Sequence, residues 1–208
     1  MSITSYNNML KEIKYKIENE KLKYKNTIII GDNSSGKSEL LRNILLDKKE
    51  GYYFIDSVNR SFNYEKIENT QQVRDTYINV LEYRLEENIF NLKDSFDFNK
   101  TGMGFIEEVY LNFEEELKIL IRDFLDINFD ITIEDNSILG KKPKLLIDKN
   151  TEKLSSGYQA IIRIFLELLY FKNSYNNINK NPIVVIDEIN EFLSTKNEKK
   201  ILPFLMKK

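Results

Sequence analysis

The stretch that decides the fold is TIIIGDNSSGKSELLRNILL, residues 27–46. Its first four residues, Thr27–Ile30, form a short β-branched run, which is typical of a strand buried on both faces of a parallel sheet. After a polar loop, a predicted helix runs from Ser38, and one of its faces carries the apolar residues Leu40, Leu41, Ile44 and Leu45. We therefore predict a strand, a loop and a helix in direct succession.

The loop itself, GDNSSGKS (Gly31–Ser38), matches the pattern G-x-x-x-x-G-K-[ST]. Such a loop wraps a phosphate chain with backbone N–H groups, and its glycines allow close approach. Lys37 supplies a charge for the β- and γ-phosphates, the Ser38 hydroxyl can ligate Mg²⁺, and the helix adds its N-terminal dipole. The position between a strand and a helix favours a nucleotide site over a chance match in a polar turn. The predicted nucleotide-binding residues here are Gly31, Asp32, Asn33, Ser34, Ser35, Gly36, Lys37, Ser38 and Glu39.

The composition excludes several classes of site. The 208 residues contain no cysteine and no histidine, which rules out disulfides, cysteine or histidine metal ligands, and histidine acid–base catalysis within this chain. A hydrophobic fraction of 41% and a net charge of −2 predict a folded protein without a global basic field for nucleic acid. No segment approaches 18 consecutive apolar residues and no signal sequence opens the chain, so we expect a cytoplasmic protein without membrane contact.

Further strands and helices are predicted along the chain. YYFI (52–55) and IVVI (183–186) are apolar strands, and DITIE (130–134) and KLLID (144–148) are strands around a turn at Gly140–Pro143. Residues 71–90 and 105–126 have helical periodicity, and residues 91–104 are predicted as a loop. Residues 11–30 are ambiguous, because Ile13, Tyr15 and Ile17 alternate as in a strand while Met9, Leu10 and Ile13 fit a helix. This order predicts one α/β domain, 1–208, in which 1–55 and 144–208 form the nucleotide-binding core and 56–143 an inserted helical lobe.

An acidic pair follows the last predicted strand, in PIVVIDEINEF (182–192). If this strand lies beside the strand of the phosphate loop, Asp187 can hold the Mg²⁺ shell and Glu188 can polarise the attacking water. Both roles need oxygen ligands at the carboxyl end of a central strand. Asp-Glu is also common in ordinary turns, but the presence of the phosphate loop favours the functional interpretation.

A second polar stretch precedes an almost continuous apolar run in LSSGYQAIIRIFLELLYF (154–171). Taken alone, a serine before a buried helix is an ordinary N-cap. Arg163 and Glu167 stand at i and i+4 and can pair on the one polar side of this helix.

In this order, GDNSSGKS, LSSGYQ (Leu154–Gln159) and IVVIDE resemble the motifs of the ABC-type ATPases. LSSGYQ is similar to their signature motif, in which a Ser and a Gly at a helix N-terminus bind the γ-phosphate held by the other protomer. The resemblance implies a P-loop NTPase fold, a three-layer α/β/α sandwich with a mostly parallel central sheet and an inserted helical lobe. It further implies ATP and Mg²⁺ as cofactors, ATP hydrolysis, and a homodimer formed on ATP binding. In that dimer, the residues that complete the partner's site would be Ser155, Ser156 and Gly157.

The resemblance is closer to the soluble SMC, recombination-repair and OLD-like branch than to transporter ATPases. LSSGYQ lacks the second glycine usual in transporters, and no proline follows the acidic pair. The segment 187–205 is similar to the one that follows the acidic pair in the soluble branch. The resemblance therefore implies an ATPase that drives a DNA-repair or phage-defence effector, with a separate effector protein as a possible partner and nucleic-acid binding left open.

The chain departs from this family in three respects. It has no histidine to serve as the family's switch, and it reaches Lys208 without the family's final strand. A fragment, a remainder on another polypeptide and a degenerate ATPase all fit this departure. The glutamine loop and the adenine-stacking residue are not clear, with Asn59, Gln71 or Gln72 as candidates for the first and Tyr15 for the second. A catalytically weak nucleotide-binding regulatory subunit is therefore the alternative function, and a transporter ATPase is a third.

Overall fold

The helices of the computed structural model are separated by stretches that it leaves undescribed. It describes residues 3–18, 36–46, 52–67, 82, 84–86, 90, 106–136, 140–151, 153–175 and 183–207. The helices with described bounds are α1 (Ile3–Glu18), α2 (Lys37–Leu46), α3 (Tyr110–Leu125), α4 (Ser156–Tyr175) and α5 (Thr195–Leu205). Short 3₁₀ turns lie at Tyr64–Lys66 and Ile106–Val109. Within these ranges no helix is both long and apolar enough to span a bilayer.

The helices bear on three predictions. Residues 13–17 belong to α1, so the helical interpretation of that ambiguous segment is right and the strand interpretation is wrong. The helix predicted from Ser38 begins at Lys37. The helical block predicted at 105–126 is confirmed as α3 from Tyr110 to Leu125, preceded by a 3₁₀ turn at Ile106–Val109. The strand predicted at Thr27–Ile30, the loop at 91–104 and most of the helix predicted at 71–90 fall outside the described residues.

A pair of parallel strands joins two distant parts of the chain. β1 (Tyr52–Ile55) runs beside β5 (Ile183–Ile186), with Tyr52 opposite Ile183 and Ile55 opposite Ile186. Both strands were predicted from their apolar runs. The pairing continues for one more residue, because the Asp187 N–H donates to the Ile55 carbonyl over 3.0 Å. Parallel pairing places the carboxyl ends of both strands, and the residues that follow them, at one edge of the sheet.

A separate antiparallel sheet contains β2 (Phe129–Asn136), β3 (Gly140–Ile147) and β4 (Asn150–Thr151) in that order. The turn predicted at Gly140–Pro143 is wrong, because these residues belong to β3 and Pro143 lies opposite Ile133. Proline is tolerated there because β4 reaches only Leu146 and Ile147, which leaves that part of β3 without a second described neighbour. The boundary predicted between the lobe 56–143 and the core from 144 falls inside β3.

The core is built around α4. From Ala160 to Phe171 this helix is buried on nearly every side, as its apolar sequence predicts. Phe165 of α4 packs against Phe124 of α3 and Phe204 of α5, with ring centroids 5.6 Å apart in both pairs. Each fully buried side chain of this kind contributes about 1.5–3 kcal/mol of burial free energy. Residues 154–157, around the start of α4, therefore adjoin a helix that is anchored in the core. The described strands form two sheets, of two and of three strands, and the three-layer sandwich stays a prediction.

Candidate functional site

The predicted phosphate loop, Gly31–Ser38, is described from Gly36 onward, and Gly31–Ser35 lie outside the described residues. Gly36 has a left-handed backbone, with φ of +82°. A side chain at this position would be strained by the backbone angle rather than by crowding, since a Cβ would meet no atom within 4 Å. The Gly36 carbonyl accepts a hydrogen bond from the Leu40 N–H over 2.9 Å, so α2 starts directly at the loop. The backbone N–H groups in the first turn of a helix have no partner within the helix, and such helix N-termini bind anions.

Lys37 is the first residue of α2 and is half-buried. A cation at a helix N-terminus faces the positive end of the helix dipole, which disfavours it by roughly 0.3–1 kcal/mol. A phosphate bound there would attract both the ammonium group and the positive end of the helix. Glu39 of the same turn is exposed and accepts a hydrogen bond from Asn43 Nδ2 over 2.9 Å, so its side chain lies along the helix surface.

Ser38 and Asp187 are brought together by the fold, although 149 positions separate them in the sequence. Ser38 Oγ donates a hydrogen bond of 2.6 Å to Asp187 Oδ2. A serine hydroxyl and an aspartate carboxylate are hard oxygen donors of the type that Mg²⁺ takes together with phosphate oxygens and water. Adjacent ligands of an octahedral Mg²⁺ lie roughly 3 Å apart, given metal–oxygen distances of 2.0–2.1 Å. The two residues predicted as metal ligands therefore have both the chemistry and the separation for a shared cation.

Asp187 is buried, and each of its polar groups is held by a different segment. Its N–H is bonded to Ile55 at the end of β1, its carboxylate to Ser38 of α2, and its carbonyl accepts a 2.8 Å hydrogen bond from Arg60 Nη2. Arg60 belongs to the segment that follows β1 and was not predicted from the sequence. The sequence around Arg60 gives no sign of this contact, because its partner Asp187 lies 127 positions away at the end of the neighbouring strand.

Glu188, the predicted water-polarising carboxylate, is exposed at the same edge of the sheet. Its backbone is left-handed, with φ of 47°. That conformation costs a residue with a side chain roughly 1–2 kcal/mol, so the surrounding contacts must maintain it. One of them is the turn in which the Glu191 N–H donates to the Glu188 carbonyl over 2.8 Å.

The stretch LSSGYQ opens α4, as predicted. Ser155 caps this helix, because its Oγ accepts a 3.3 Å hydrogen bond from the Tyr158 N–H. Gly157 lies against the backbone that follows the acidic pair, where an added Cβ would sit 3.1 Å from the Phe192 carbonyl oxygen. Packing within its own chain therefore also explains why position 157 is a glycine, and the sequence alone did not indicate this contact. Ser156 is exposed, and no side-chain hydrogen bond joins Ser155 or Ser156 to Gly36–Ser38, the described part of the phosphate loop.

A buried ionic cluster lies beside this site, around Glu167 of α4. The Glu167 carboxylate accepts hydrogen bonds from Arg163 (2.7 Å), from Arg84 (2.8 and 3.1 Å) and from the Tyr53 hydroxyl (3.1 Å). The predicted pairing of Arg163 with Glu167 is confirmed, but the pair is buried rather than on a polar side. Burial raises the pKa of the Glu167 carboxyl, but the attraction of Arg84 and Arg163 outweighs it and holds the pKa below its ordinary value. Glu167 is therefore a buried carboxylate that two guanidinium groups keep charged.

The segment between β1 and the first 3₁₀ turn connects this cluster to Asp187. Asp56 caps it, because its carboxylate accepts hydrogen bonds from the Asn59 backbone N–H (2.7 Å) and side-chain amide (2.8 Å). Asn59, a candidate for the glutamine loop, is thus buried and bonded to Asp56.

The other candidates for the glutamine loop, Gln71 and Gln72, lie outside the described residues. Tyr15, the candidate for adenine stacking, is 52% exposed on α1, a helix that lies against α2.

Comparison of the chain with protein-family models, with curated proteins and with solved structures gives no match.

Proposed function

We propose that this chain binds ATP with Mg²⁺ and is an ABC-type ATPase of the soluble branch, whose ATP-assembled dimer hydrolyses the nucleotide and drives a cytoplasmic DNA-repair or phage-defence effector. The observation that carries the proposal is the 2.6 Å hydrogen bond between Ser38 Oγ and Asp187 Oδ2. It joins the last residue of the phosphate-loop motif to the first residue of the acidic pair. A chance match to either motif would not require the other to lie within hydrogen-bond distance.

Each described residue has one task in this proposal. The backbone N–H groups at the start of α2 bind phosphate oxygens, and Lys37 places its charge between the β- and γ-phosphates. Ser38 and Asp187 hold the cation, which supplies charge neutralisation on the phosphates when bound. Glu188 is exposed beside Asp187, where its carboxylate can orient and polarise the attacking water. Ser156 and Gly157 face the nucleotide of a second protomer.

Asp187→Asn is expected to separate nucleotide binding from metal binding. The amide keeps the size of the side chain but removes the charge that a metal ligand needs. ATP affinity measured in EDTA should stay within about twofold of wild type, while the gain in affinity on adding Mg²⁺ should fall by about tenfold or more, since a contact to a charged group contributes roughly 1.5–3 kcal/mol. Titration of a fluorescent ATP analogue with and without Mg²⁺ measures both quantities.

Asp126→Asn is the matched control, because Asp126 is an exposed carboxylate at the end of α3. This variant should keep the full Mg²⁺-dependent gain. An Asp187→Asn protein that also keeps it would remove Asp187 from the metal site. A wild-type chain that binds no ATP under either condition would refute the proposed function itself.

ATP is expected to assemble the dimer, and Glu188→Gln is expected to trap it. The amide preserves the shape of the site but cannot polarise water, so the ATP that bridges the two protomers persists. Because both protomers touch the γ-phosphate, ATP should favour the dimer and ADP should not. Ser156→Arg should bind ATP as a monomer, because its side chain fills the phosphate-facing gap. Light scattering in ATP–Mg²⁺ and in ADP–Mg²⁺ gives the mass of each variant.

Ser156 is a better probe than Gly157, since a side chain at Gly157 would also meet Phe192 of its own chain. Asn112→Arg, at an exposed position of α3, is the control for the added charge and bulk and should dimerise normally. A Glu188→Gln protein that stays monomeric in saturating ATP–Mg²⁺ would refute the homodimer.

The absence of histidine from all 208 residues favours one alternative, a nucleotide-binding regulatory subunit with weak catalysis. A γ-phosphate sensor contributes a few kcal/mol to the transition state, and each 1.36 kcal/mol changes the rate tenfold. A chain that binds ATP and dimerises but releases no phosphate would support this alternative over an ATPase. Turnover near the enzymatic median of about 10 s⁻¹ would exclude it.

A further inference from the structure

Arg60 is a buried arginine that its surroundings satisfy only in part. It is 2% exposed, and Nη2 donates to the Asp187 carbonyl over 2.8 Å. Its Nε and Nη1 atoms have no hydrogen-bond partner in the described part of the chain. Burial lowers the pKa of this guanidinium, against the attraction of Glu167 and Asp56 and together with the repulsion of Arg84 and Arg163. Buried donors without partners destabilise a fold, so an arginine placed here for stability alone would be a poor choice.

Within the described residues, the hydrogen bond that the Arg60 side chain donates goes to the acidic pair. The carbonyl it holds belongs to the peptide between Asp187 and Glu188, so its orientation sets the path of the chain into Glu188. Glu188 has the left-handed backbone, with φ of 47°, which nearby contacts must maintain. The side chain of Asp187 is held as well, because its carboxylate accepts a hydrogen bond from Ser38. A shift of this peptide would therefore move the metal-binding carboxylate and the water-polarising carboxylate together.

The segment that carries Arg60 is itself held by α4. Arg163 Nη1 donates to the Ser61 carbonyl over 3.5 Å, and Gln159 Oε1 accepts from the Phe62 N–H over 3.4 Å. Both contacts come from the first part of the helix that opens with Ser156. Arg60 thus lies in a segment with α4 on one side and the Asp187–Glu188 peptide on the other.

We propose that Arg60 is a positioning residue, which fixes the Asp187–Glu188 peptide through its bond to the Asp187 carbonyl and so aligns both carboxylates with a bound nucleotide. This inference rests on the proposed function. Arg60 acts through Asp187 and Glu188 and need not touch the nucleotide. Its loss should leave the phosphate contacts of Gly36 and Lys37 unchanged while it impairs the steps that depend on the two carboxylates.

Arg60→Met tests this, because methionine fills part of the buried space without a donor. ATP affinity in EDTA should stay within about twofold of wild type. The Mg²⁺-dependent gain in affinity should fall by roughly tenfold, and hydrolysis of bound ATP in a single turnover should slow by roughly 100-fold, the effect of a displacement of about 1 Å in an active site. A purely structural role would instead lower the thermal midpoint and reduce the active fraction equally in both affinity measurements.

Two further variants complete the experiment. Arg122→Met, at an exposed position of α3, should match wild type throughout. Arg60→Lys keeps the charge but replaces the planar fork with a shorter ammonium, so we expect intact EDTA affinity and a single-turnover rate about tenfold below wild type. If Arg60→Met does not fold, this lysine variant decides between the two outcomes.

Wild-type values for the Mg²⁺-dependent gain and for the single-turnover rate in the folded Arg60 variant would overturn the positioning role while leaving the proposed function intact. If wild type binds ATP but does not hydrolyse it measurably, the Mg²⁺-dependent gain alone decides. Absence of ATP binding by wild type would overturn both proposals at once.

Discussion

Lys37→Ala is expected to weaken ATP binding by roughly 10- to 150-fold, the equivalent of the 1.5–3 kcal/mol that a charged hydrogen bond contributes. Lys37 starts α2 directly after Gly36, where its ammonium group can reach the phosphates that the loop holds. Equilibrium titration with a fluorescent ATP analogue measures the affinity, and a thermal melt confirms the fold.

A lower affinity together with a cooperative thermal melt identifies a ligand contact in a protein that remains folded. Lys172→Ala, at an exposed position in the last turn of α4, should change neither quantity. A folded Lys37→Ala protein with wild-type affinity would remove the loop Gly31–Ser38 from the nucleotide site.

Glu167→Ala is expected to destabilise the fold by about 3–5 kcal/mol, because it removes the buried carboxylate that pairs with the guanidinium groups of Arg84 and Arg163 and leaves Arg84 with the longer 3.6 Å ion pair to Asp56. For a chain of this size each kcal/mol lowers the thermal midpoint by about 2–4 °C, so a decrease of roughly 6–20 °C should be seen by circular dichroism at pH 7. The pKa of Glu167 is depressed in the fold, so its stabilisation is fully present at this pH and is lost only as the pH falls through that depressed value.

Two further variants, Glu167→Gln and Glu115→Ala, separate the contribution of the charge from the contribution of burial. Glutamine keeps the shape and one acceptor oxygen but not the charge, so it should destabilise the fold less than alanine. Glu115→Ala removes a carboxylate that is 82% exposed and only 3.6 Å from Lys118, and should change stability by less than about 1 kcal/mol. A Glu167→Ala protein within 1 kcal/mol of wild type would show that the cluster contributes nothing to stability.

The sequence predicted those parts of the molecule whose pattern is local. The apolar runs of β1 and β5 identified both strands, and the nearly continuous apolar stretch of α4 identified a helix that is buried on nearly every side from Ala160 to Phe171. The Ser38–Asp187 contact could be anticipated as well, because two short motifs each imply the same ligand. The pattern of residues 13–17 is too short to distinguish the helical period from the strand period, and these residues belong to α1.

What the sequence could not supply depends on distant partners. Nothing near Arg60 reveals that its guanidinium meets a carbonyl 127 positions later. Arg84 offered a weak signal, since it interrupts the apolar face of the helix predicted at 71–90, and its partner Glu167 stands four residues after Arg163. The turn predicted at Gly140–Pro143 is wrong for the opposite reason. Local turn chemistry predicted a turn, whereas pairing with β2 makes these residues part of a strand.

The pairing of β1 with β5 also determines when the protein can fold during its synthesis. Tyr52 and Ile183 are 131 positions apart, and at about 5–20 residues per second the ribosome needs roughly 7 to 26 s to make the chain between them. Throughout that interval the fully buried residues of β1 exist without the strand that covers their backbone. A nascent chain that exposes four apolar residues for many seconds is a substrate for chaperones and a risk for aggregation. The same edge of the sheet that unites Ser38 with Asp187 is therefore among the last parts of this protein that can form.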